Sequence, residues 1–313
     1  MDKVYYMNGT PLSMGYSAPE DYGAKGDGTT DDSSAIQSAV NNKGIILFDA
    51  GKNYKITSTI RLSKGTTLDL NGSTITSTNK HLFFNFKSSD TFTAYNGNGN
   101  IIIRNGMIVG GAISFAHGEN IRLENVTFIN SLNDHFLEIA GCKNYVIENC
   151  RFIGMADVQT SVYEYINVDP ATHAAFPWLA DGSAFYDGTK NDGININKCY
   201  FSLGEDSYAF GFNAFGAHGV AGQSVKHKNI RLTNNEVLDF TGCGFRINDM
   251  ENVFIANNNI NVEGDGIRVG DVGQSTNVLI KGNVITSSGT PVTKENSSTV
   301  FQSADNDINP TFT

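Results

Sequence analysis

Short runs of alternating apolar residues recur along this chain, with Asn at their boundaries. The clearest unit is IRLENVTFINSLNDHFLEIAGCKN, residues 121–144, where Ile121 and Leu123, Val126 and Phe128, and Leu137 and Ile139 form three such runs. Each run is too short for an ordinary strand with its own hairpin partner, so the three together read as one coil of a solenoid. The segments 99–111, 143–154, 193–201, 228–240, 251–262 and 276–286 repeat the same grammar. An Asn precedes the alternating triplet at Asn100, Asn120, Asn144, Asn229, Asn252 and Asn277, giving spacings of 20, 24, 85, 23 and 25, and Gly193 divides the 85 into 49 and 36. A period in the low twenties, twice interrupted, indicates stacked repeats rather than separate domains.

The chain divides accordingly. Residues 1–20 are polar and irregular and read as a linker, and the solenoid runs over 21–290. Near 31–41, Ala35, Ile36, Ala39 and Val40 form a short apolar face behind Thr30 or Asp31 as helix cap. A helix there would plug the end of the stack, which otherwise exposes its first coil. Two insertions interrupt the coils, at 154–193 with Tyr163, Tyr165, Phe176, Trp178, Phe185 and Tyr186, and at 202–228 with Tyr208, Phe210, Phe212 and Phe215. Insertions of this kind rise from one face and form its binding surface. The Ser-, Thr-, Asn- and Asp-rich stretch 291–313 reads as a tail or a cap.

Composition narrows the function. A chain of 313 residues, 40% hydrophobic and with 33 glycines, buries a large core as one elongated domain. Its formal net charge of −10 argues against a nucleic-acid partner, which needs clustered Lys and Arg. No apolar run approaches the roughly 20 residues of a membrane span, and MDKVYYMNGT lacks the apolar centre of a signal peptide. The protein therefore stays in the cytoplasm, leaves by a route such as phage lysis, or has lost a leader. Cys150 stacks on Cys199 in the coil alignment, and the column continues as Asn235, Asn258 and Asn283. With no CxxC or HxxxH spacing, no metal site is expected, and the two residues read as reduced core thiols, with a disulfide as the minor alternative.

Candidate chemistry emerges when the third run of successive coils is aligned. Leu137, Ile166, Phe215, Phe245 and Ile267 form one inward column, and Ile139, Val168, Ala217, Ile247 and Val269 another. Alternation turns the residues between them outward. One outward column is Glu138, Asn167, Gly216, Arg246 and Arg268; its neighbour is Ala140, Asp169, His218, Asn248 and Gly270. Parallel strands stack about 4.8 Å apart, so Asp169, His218 and Arg246 come within reach of one sugar. Hydrolysis would use two carboxyl groups, Asp169 with Glu138 or Glu164. β-Elimination from a uronate would use His218 as base and Arg246 as stabiliser.

The segment YGAKGDGTTDDSSAIQSAV, residues 22–40, resembles the opening motif of the pectate-lyase-like right-handed parallel β-helix superfamily. That superfamily is common among phage tail spikes, exopolysaccharide depolymerases, lyases and polygalacturonase-like hydrolases. The resemblance covers about residues 20–290 and implies an all-β, single-stranded right-handed parallel β-helix with a short capping helix. Its phage members resemble this chain at EYINVDP (164–170), at DGT from Asp187 to Thr189, at AFGAHG with His218 and at GFR with Arg246. The order acid, His, Arg is similar to that of polygalacturonase-type hydrolases, but their paired-Asp motif is missing, with only Glu205 and Asp206 nearby.

The expected catalytic set is Asp169, His218, Glu138, Glu164 and Arg246. The expected substrate-binding set is Asn167, Tyr165, Trp178, Asp187, Gly216, Arg268 and His135. Bland readings stand beside them: His135 shares the inward parity of Leu137, Glu138 and Arg246 could form a surface ion pair, Asp169 precedes Pro170 in a turn, and Trp178 could pack its own loop. The sequence-level expectation is a glycoside hydrolase acting on a bacterial exopolysaccharide, of phage or prophage origin. A uronate-specific lyase and a non-catalytic carbohydrate- or receptor-binding spike are the alternatives. No cofactor is expected, with Ca2+ admissible for a lyase. The expected partner is polysaccharide, with neither nucleic acid nor membrane; the expected place is a virion tail or the extracellular space, where a homotrimer in a phage tail or baseplate is compatible with the resemblance.

Overall fold

The computed structural model describes residues 15–42, 44–156, 163–177, 185–204, 212–218, 225–302 and 304–309. The chain winds as a right-handed parallel β-helix, and every strand pairing among the described residues is parallel. The coil beginning at Glu119 shows how the pattern folds. Residues 119–124 pair with Lys143–Glu148, the chain bends at Asn125, and residues 127–131 pair with Arg151–Met155. Leu137–Ala140 then lies on a third face, a nine-stranded sheet that runs through the stack.

The Asn residues are corners. Asn100, Asn120, Asn144, Asn229, Asn252 and Asn277 all have φ between 52° and 59°, the left-handed region that Asn tolerates better than other non-Gly residues. In the coil without that Asn, Gly193 takes the corner at φ 79°. Side-chain amides link this corner from coil to coil, Asn120 to Asn100, Asn144 to Asn120 and Asn277 to Asn252. A second ladder is internal: the backbone N–H of Cys199, Asn235, Asn258 and Asn283 each donates to the side-chain oxygen of the next Asn, ending at Asn306. Cys142, Cys150, Cys199 and Cys243 are buried free thiols.

The core is the line of inward side chains, including the stack Phe128, Phe152 and Phe201 with centroids 4.9 and 5.1 Å apart. Each large ring removed from water contributes about 2 to 3 kcal/mol, and stacking makes the contribution repeat at every coil. The helix Ser33–Asn41 adds Ile36, Ala39 and Val40 to this core over the first coils. Its N-cap is Asp32, whose carboxylate instead accepts hydrogen bonds from the N–H groups of Lys25 and Gly26.

Coiling extends beyond the limits expected at both ends. Tyr16–Ser17, expected in a linker, pairs with Ile45–Ile46. Val292–Lys294, Val300–Gln302 and Asp307–Ile308, expected in a tail or cap, pair with the preceding coil on all three faces. The Ser- and Asn-rich composition there concealed the alternation because Phe301 and Ile308 are exposed.

Candidate functional site

Five neighbouring strands of the third sheet build the site: Leu137–Ala140, Glu164–Asp169, Asn213–Gly216, Phe245–Ile247 and Ile267–Val269. Their register places Glu138, Asn167, Gly216, Arg246 and Arg268 in one outward row. Asp169 lies one row over beside Ala140, and its Oδ2 is 2.9 Å from His218 Nδ1. Gly216 leaves the space the site needs, since a Cβ there would lie 2.8 Å from Glu164 Cγ and 3.0 Å from Arg246 Cβ.

Strict alternation fails at the start of two of these strands. Phe136 with Leu137, and Tyr165 with Ile166, enter the core as consecutive residues. The residue before each pair is therefore turned to the groove, which brings in His135 and Glu164. Tyr165 was expected to touch substrate; it is instead fully buried, with its ring 4.8 Å from Phe240 and 5.0 Å from Phe136 and its hydroxyl donating to the Ser202 carbonyl. His135 is buried, as its parity with Leu137 implies, with its Nδ1 on the Glu164 carbonyl, but its Nε2 lies 3.8 Å from Glu138 Oε2 and its ring packs against that of His218, so it borders the floor.

The floor is deep and acidic. Glu138, Glu164 and Asp169 are 5%, 0% and 4% exposed, whereas the His218 side chain is 43% exposed at the mouth. Asn167 donates to Glu138 Oε2 at 2.9 Å, and Glu164 lies 3.7 Å from His218 and 3.1 Å from Arg246. Three oxygens in this floor, Glu138 Oε1, Glu164 Oε2 and Asn167 Oδ1, have no hydrogen-bond partner among the described residues. Burial, then the nearby charge of Asp169, holds the Glu138 carboxyl well above the usual range. Burial acts to raise Asp169, but the hydrogen bond and charge of His218, with smaller help from His227 and Asn167, leave Asp169 lowered. His218 is raised in turn by its bond to Asp169, against burial.

Arg246 bridges two acids, donating to Glu164 Oε1 and, at 3.0 Å, to Asp271 Oδ2. Arg268 pairs with Asp265 at 2.8 Å and approaches Asp271 at 3.8 Å, beside a cavity of about 280 Å³ that also reaches Asn213 and Cys243. The surface Glu138–Arg246 pair weighed from sequence is replaced by the Glu164–Arg246 pair. Asp271 escaped the register reading, which stopped at Gly270, a left-handed turn at φ 79° that carries Asp271 back towards both arginines. The GD dipeptide closing that strand was its only signal.

The remaining expected residues lie elsewhere. Asp187 accepts hydrogen bonds from the N–H groups of Ala94 and Thr189, tying the polar segment near residue 94 to the first insertion. Phe176 and Phe185 of that insertion are buried against Phe86 in a second apolar cluster, which also holds Phe84, Ala116 and Ala140 of the third sheet. The cluster bounds the acidic floor on its N-terminal side. Trp178, Glu205 and Asp206 lie outside the described residues.

The protein is thus a right-handed parallel β-helix carrying an acidic groove on its third face. Residues 17–83 match the family model described as rhamnogalacturonase A/epimerase, pectate lyase-like. The plasmin and fibronectin-binding protein A of Streptococcus pneumoniae is 27% identical over 297 residues, 81% of this chain and 40% of that protein. The chain therefore spans less than half the length of that curated relative. The solved structure of the same pneumococcal surface adhesin, PfbA, superposes with a TM-score of 0.73 at 22% identity, covering 88% of this chain and 78% of that one. A mutant tailspike of E. coli bacteriophage HK620, solved in complex with a pentasaccharide, gives a TM-score of 0.60 at 13% identity over 98% of this chain and 70% of the tailspike. Among the described residues no helix is long and apolar enough to cross a membrane.

Proposed function

We propose that the groove binds a bacterial polysaccharide and hydrolyses its glycosidic bonds, with Glu138 as proton donor and Asp169 as the ionised partner. The observation that carries this reading is the pair itself: two carboxyl groups on adjacent strands of one groove, Glu138 raised and Asp169 lowered. Glycosidases need one carboxyl protonated and one ionised at the same pH, and environments that push the two apart supply that. His218 keeps Asp169 charged, Asn167 orients Glu138, and Gly216 lets a sugar ring approach the floor. The pentasaccharide-bound tailspike, which shares the fold, supports a glycan as the ligand and a virion or extracellular setting. Assembly as a homotrimer belongs to the same proposal and is checked by light scattering.

Hydrolysis is favoured over β-elimination by two features. His218, the candidate base of a lyase, has its Nδ1 on Asp169 and its Nε2 3.7 Å from Glu164 Oε2, so both ring nitrogens already face carboxylates. Arg246 is already paired with two acids, Glu164 and Asp271, which offset its charge before a uronate arrives. A second reading, attachment without cleavage, is favoured by the depth of the three acids and by the adhesin relative.

The test is incubation with a panel of bacterial exopolysaccharides, followed by reducing-end measurement and ultraviolet absorbance. New reducing ends that vanish in Glu138→Gln and Asp169→Asn support hydrolysis. An unsaturated uronate among the products would transfer the assignment to a lyase, and glycan binding with no new ends on any glycan would leave the attachment reading.

A further inference from the structure

We propose that His135, Glu164 and His218 form a binding site for one divalent transition-metal ion of the Zn2+ type. The ligand atoms of these three residues all lie within 4.8 Å of one another, and they come from three neighbouring coils. Metal ligands on a tetrahedral zinc stand roughly 3.3 Å apart, given bonds near 2.0 to 2.1 Å. Closing the set therefore needs shifts of up to about 1.5 Å, which the half-exposed His218, just past its strand, can supply.

The ring nitrogens are prepared for this role. His135 Nδ1 faces the backbone carbonyl oxygen of Glu164, which can only accept, so Nδ1 carries the hydrogen and a neutral ring presents the Nε2 lone pair. His218 Nδ1 donates to Asp169 in the same way, and its Nε2 faces Glu164 Oε2 at 3.7 Å. Zinc-binding histidines show this arrangement, one nitrogen on the metal and the other N–H fixed by a carbonyl or a carboxylate. Both kinds of outer partner are present here.

An independent observation points to the same place. Glu164 is fully buried, Arg246 occupies its Oε1, and its Oε2 has no hydrogen-bond partner among the described residues. Glu138, 5% exposed, stands beside it with Oε1 likewise unpartnered and Oε2 3.8 Å from His135 Nε2. A buried carboxylate oxygen without a partner is costly, and a cation is the ligand that relieves it most. Glu164 and Asp169 outnumber the single guanidinium of Arg246 in contact with this floor, so the local charge suits a cation. Two imidazoles with one carboxylate select a borderline metal; Ca2+ and Mg2+ prefer an all-oxygen shell. The open coordination position faces the groove, where a water or a sugar oxygen completes the sphere.

The site stands on these side chains whether or not the groove cleaves a glycan, and its test needs no activity. Protein stripped with EDTA is titrated calorimetrically with ZnCl2, and separately with CaCl2. One Zn2+ binds per chain, Ca2+ does not compete, and His218→Ala and Glu164→Gln each weaken Zn2+ binding at least 100-fold with the melting curve retained. Asp169→Asn, which removes only the outer partner of His218, weakens it about 10- to 100-fold. His173→Ala, in the outer insertion against Tyr186, leaves it unchanged. Absence of saturable Zn2+ binding, binding in His218→Ala and Glu164→Gln equal to wild type, or equal affinity for Ca2+ would each overturn the proposal.

Discussion

His218 Nδ1 lies 2.9 Å from Asp169 Oδ2 across 49 residues of chain, because one coil places the first side chain directly beside the second. This contact sets the protonation of both groups, lowering Asp169 and raising His218. In metal-free wild-type protein the His218 imidazole therefore titrates above its ordinary 6.5. In Asp169→Asn the bond loses its charge, burial is left unopposed by it, and the midpoint falls towards or below the ordinary value. Two-dimensional NMR of the imidazole C–H resonances in EDTA reads both midpoints; equal midpoints would show that Asp169 does not control His218.

Gly216→Ala tests how closely the groove is built. The added Cβ would meet Glu164 Cγ at 2.8 Å and the Arg246 Cβ and carbonyl oxygen at 3.0 and 3.1 Å. Glu164 must move, and the Glu164–Arg246 pair with it. Overpacking of this kind costs about 1 to 3 kcal/mol, so the urea midpoint drops while the β-helix persists. Ligand binding in the groove falls much more than stability does. A variant that binds as wild type would show that Glu164 has slack the structure does not display.

These two residues also mark the limit of what the sequence discloses. Period-two alternation, fixed by the geometry of a strand, places Glu138, Asn167, Gly216, Arg246 and Arg268 in one row, and the strand pairings are the same. The Asn spacings marked the corners, since a left-handed residue is demanded there. What alternation misses is its own interruption. At Phe136–Leu137 and Tyr165–Ile166 two successive residues face inward, which moves Tyr165 into the core and delivers His135 and Glu164 to the floor. No local residue type announces that break, because aromatic and aliphatic side chains suit either side of it. The pairing of Arg246 with Asp271 was hidden for a related reason, a glycine turn that ends the strand periodicity.

His227 gives the fold a pH dependence outside the groove. It is 1% exposed and its Nδ1 accepts the Asn191 N–H at 3.1 Å. Burial, then the charge of Lys190, pushes its pKa from 6.5 down to about 3. The unfolded chain takes up this proton near pH 6.5 and the folded chain does not, so stability is full above that pH and is lost as the pH falls towards the folded value. At pH 5 the loss is about 2 kcal/mol relative to pH 8. Urea unfolding of wild type and His227→Gln at both pH values isolates this part, because other titrating groups are common to the two proteins. The glutamine variant loses about that much of the pH slope; an unchanged slope would assign it to other groups.

The two Asn ladders look alike in sequence but differ in what they hold. Asn258 is 1% exposed, its amide donates to the Leu232 carbonyl, and its oxygen accepts from the backbone and side chain of Asn235. Asn258→Ala removes the acceptor of the buried Asn235 N–H and one donor to the Leu232 carbonyl, and a buried group left without its partner costs about 1 to 3 kcal/mol. The expected loss is about 3 kcal/mol, and glycine at the same position does not recover it. Asn252 is exposed, and its ladder bonds to Asn229 and Asn277 compete with water. Its contribution is conformational: φ is 59°, and forcing alanine there costs about 1 to 2 kcal/mol, which Asn252→Gly largely restores. Chemical denaturation of the four variants separates the two roles. Recovery by glycine at 252 but not at 258 is the expected pattern, and the same response at both positions would mean that hydrogen bonding, not backbone handedness, sets the preference for Asn at the outer corner.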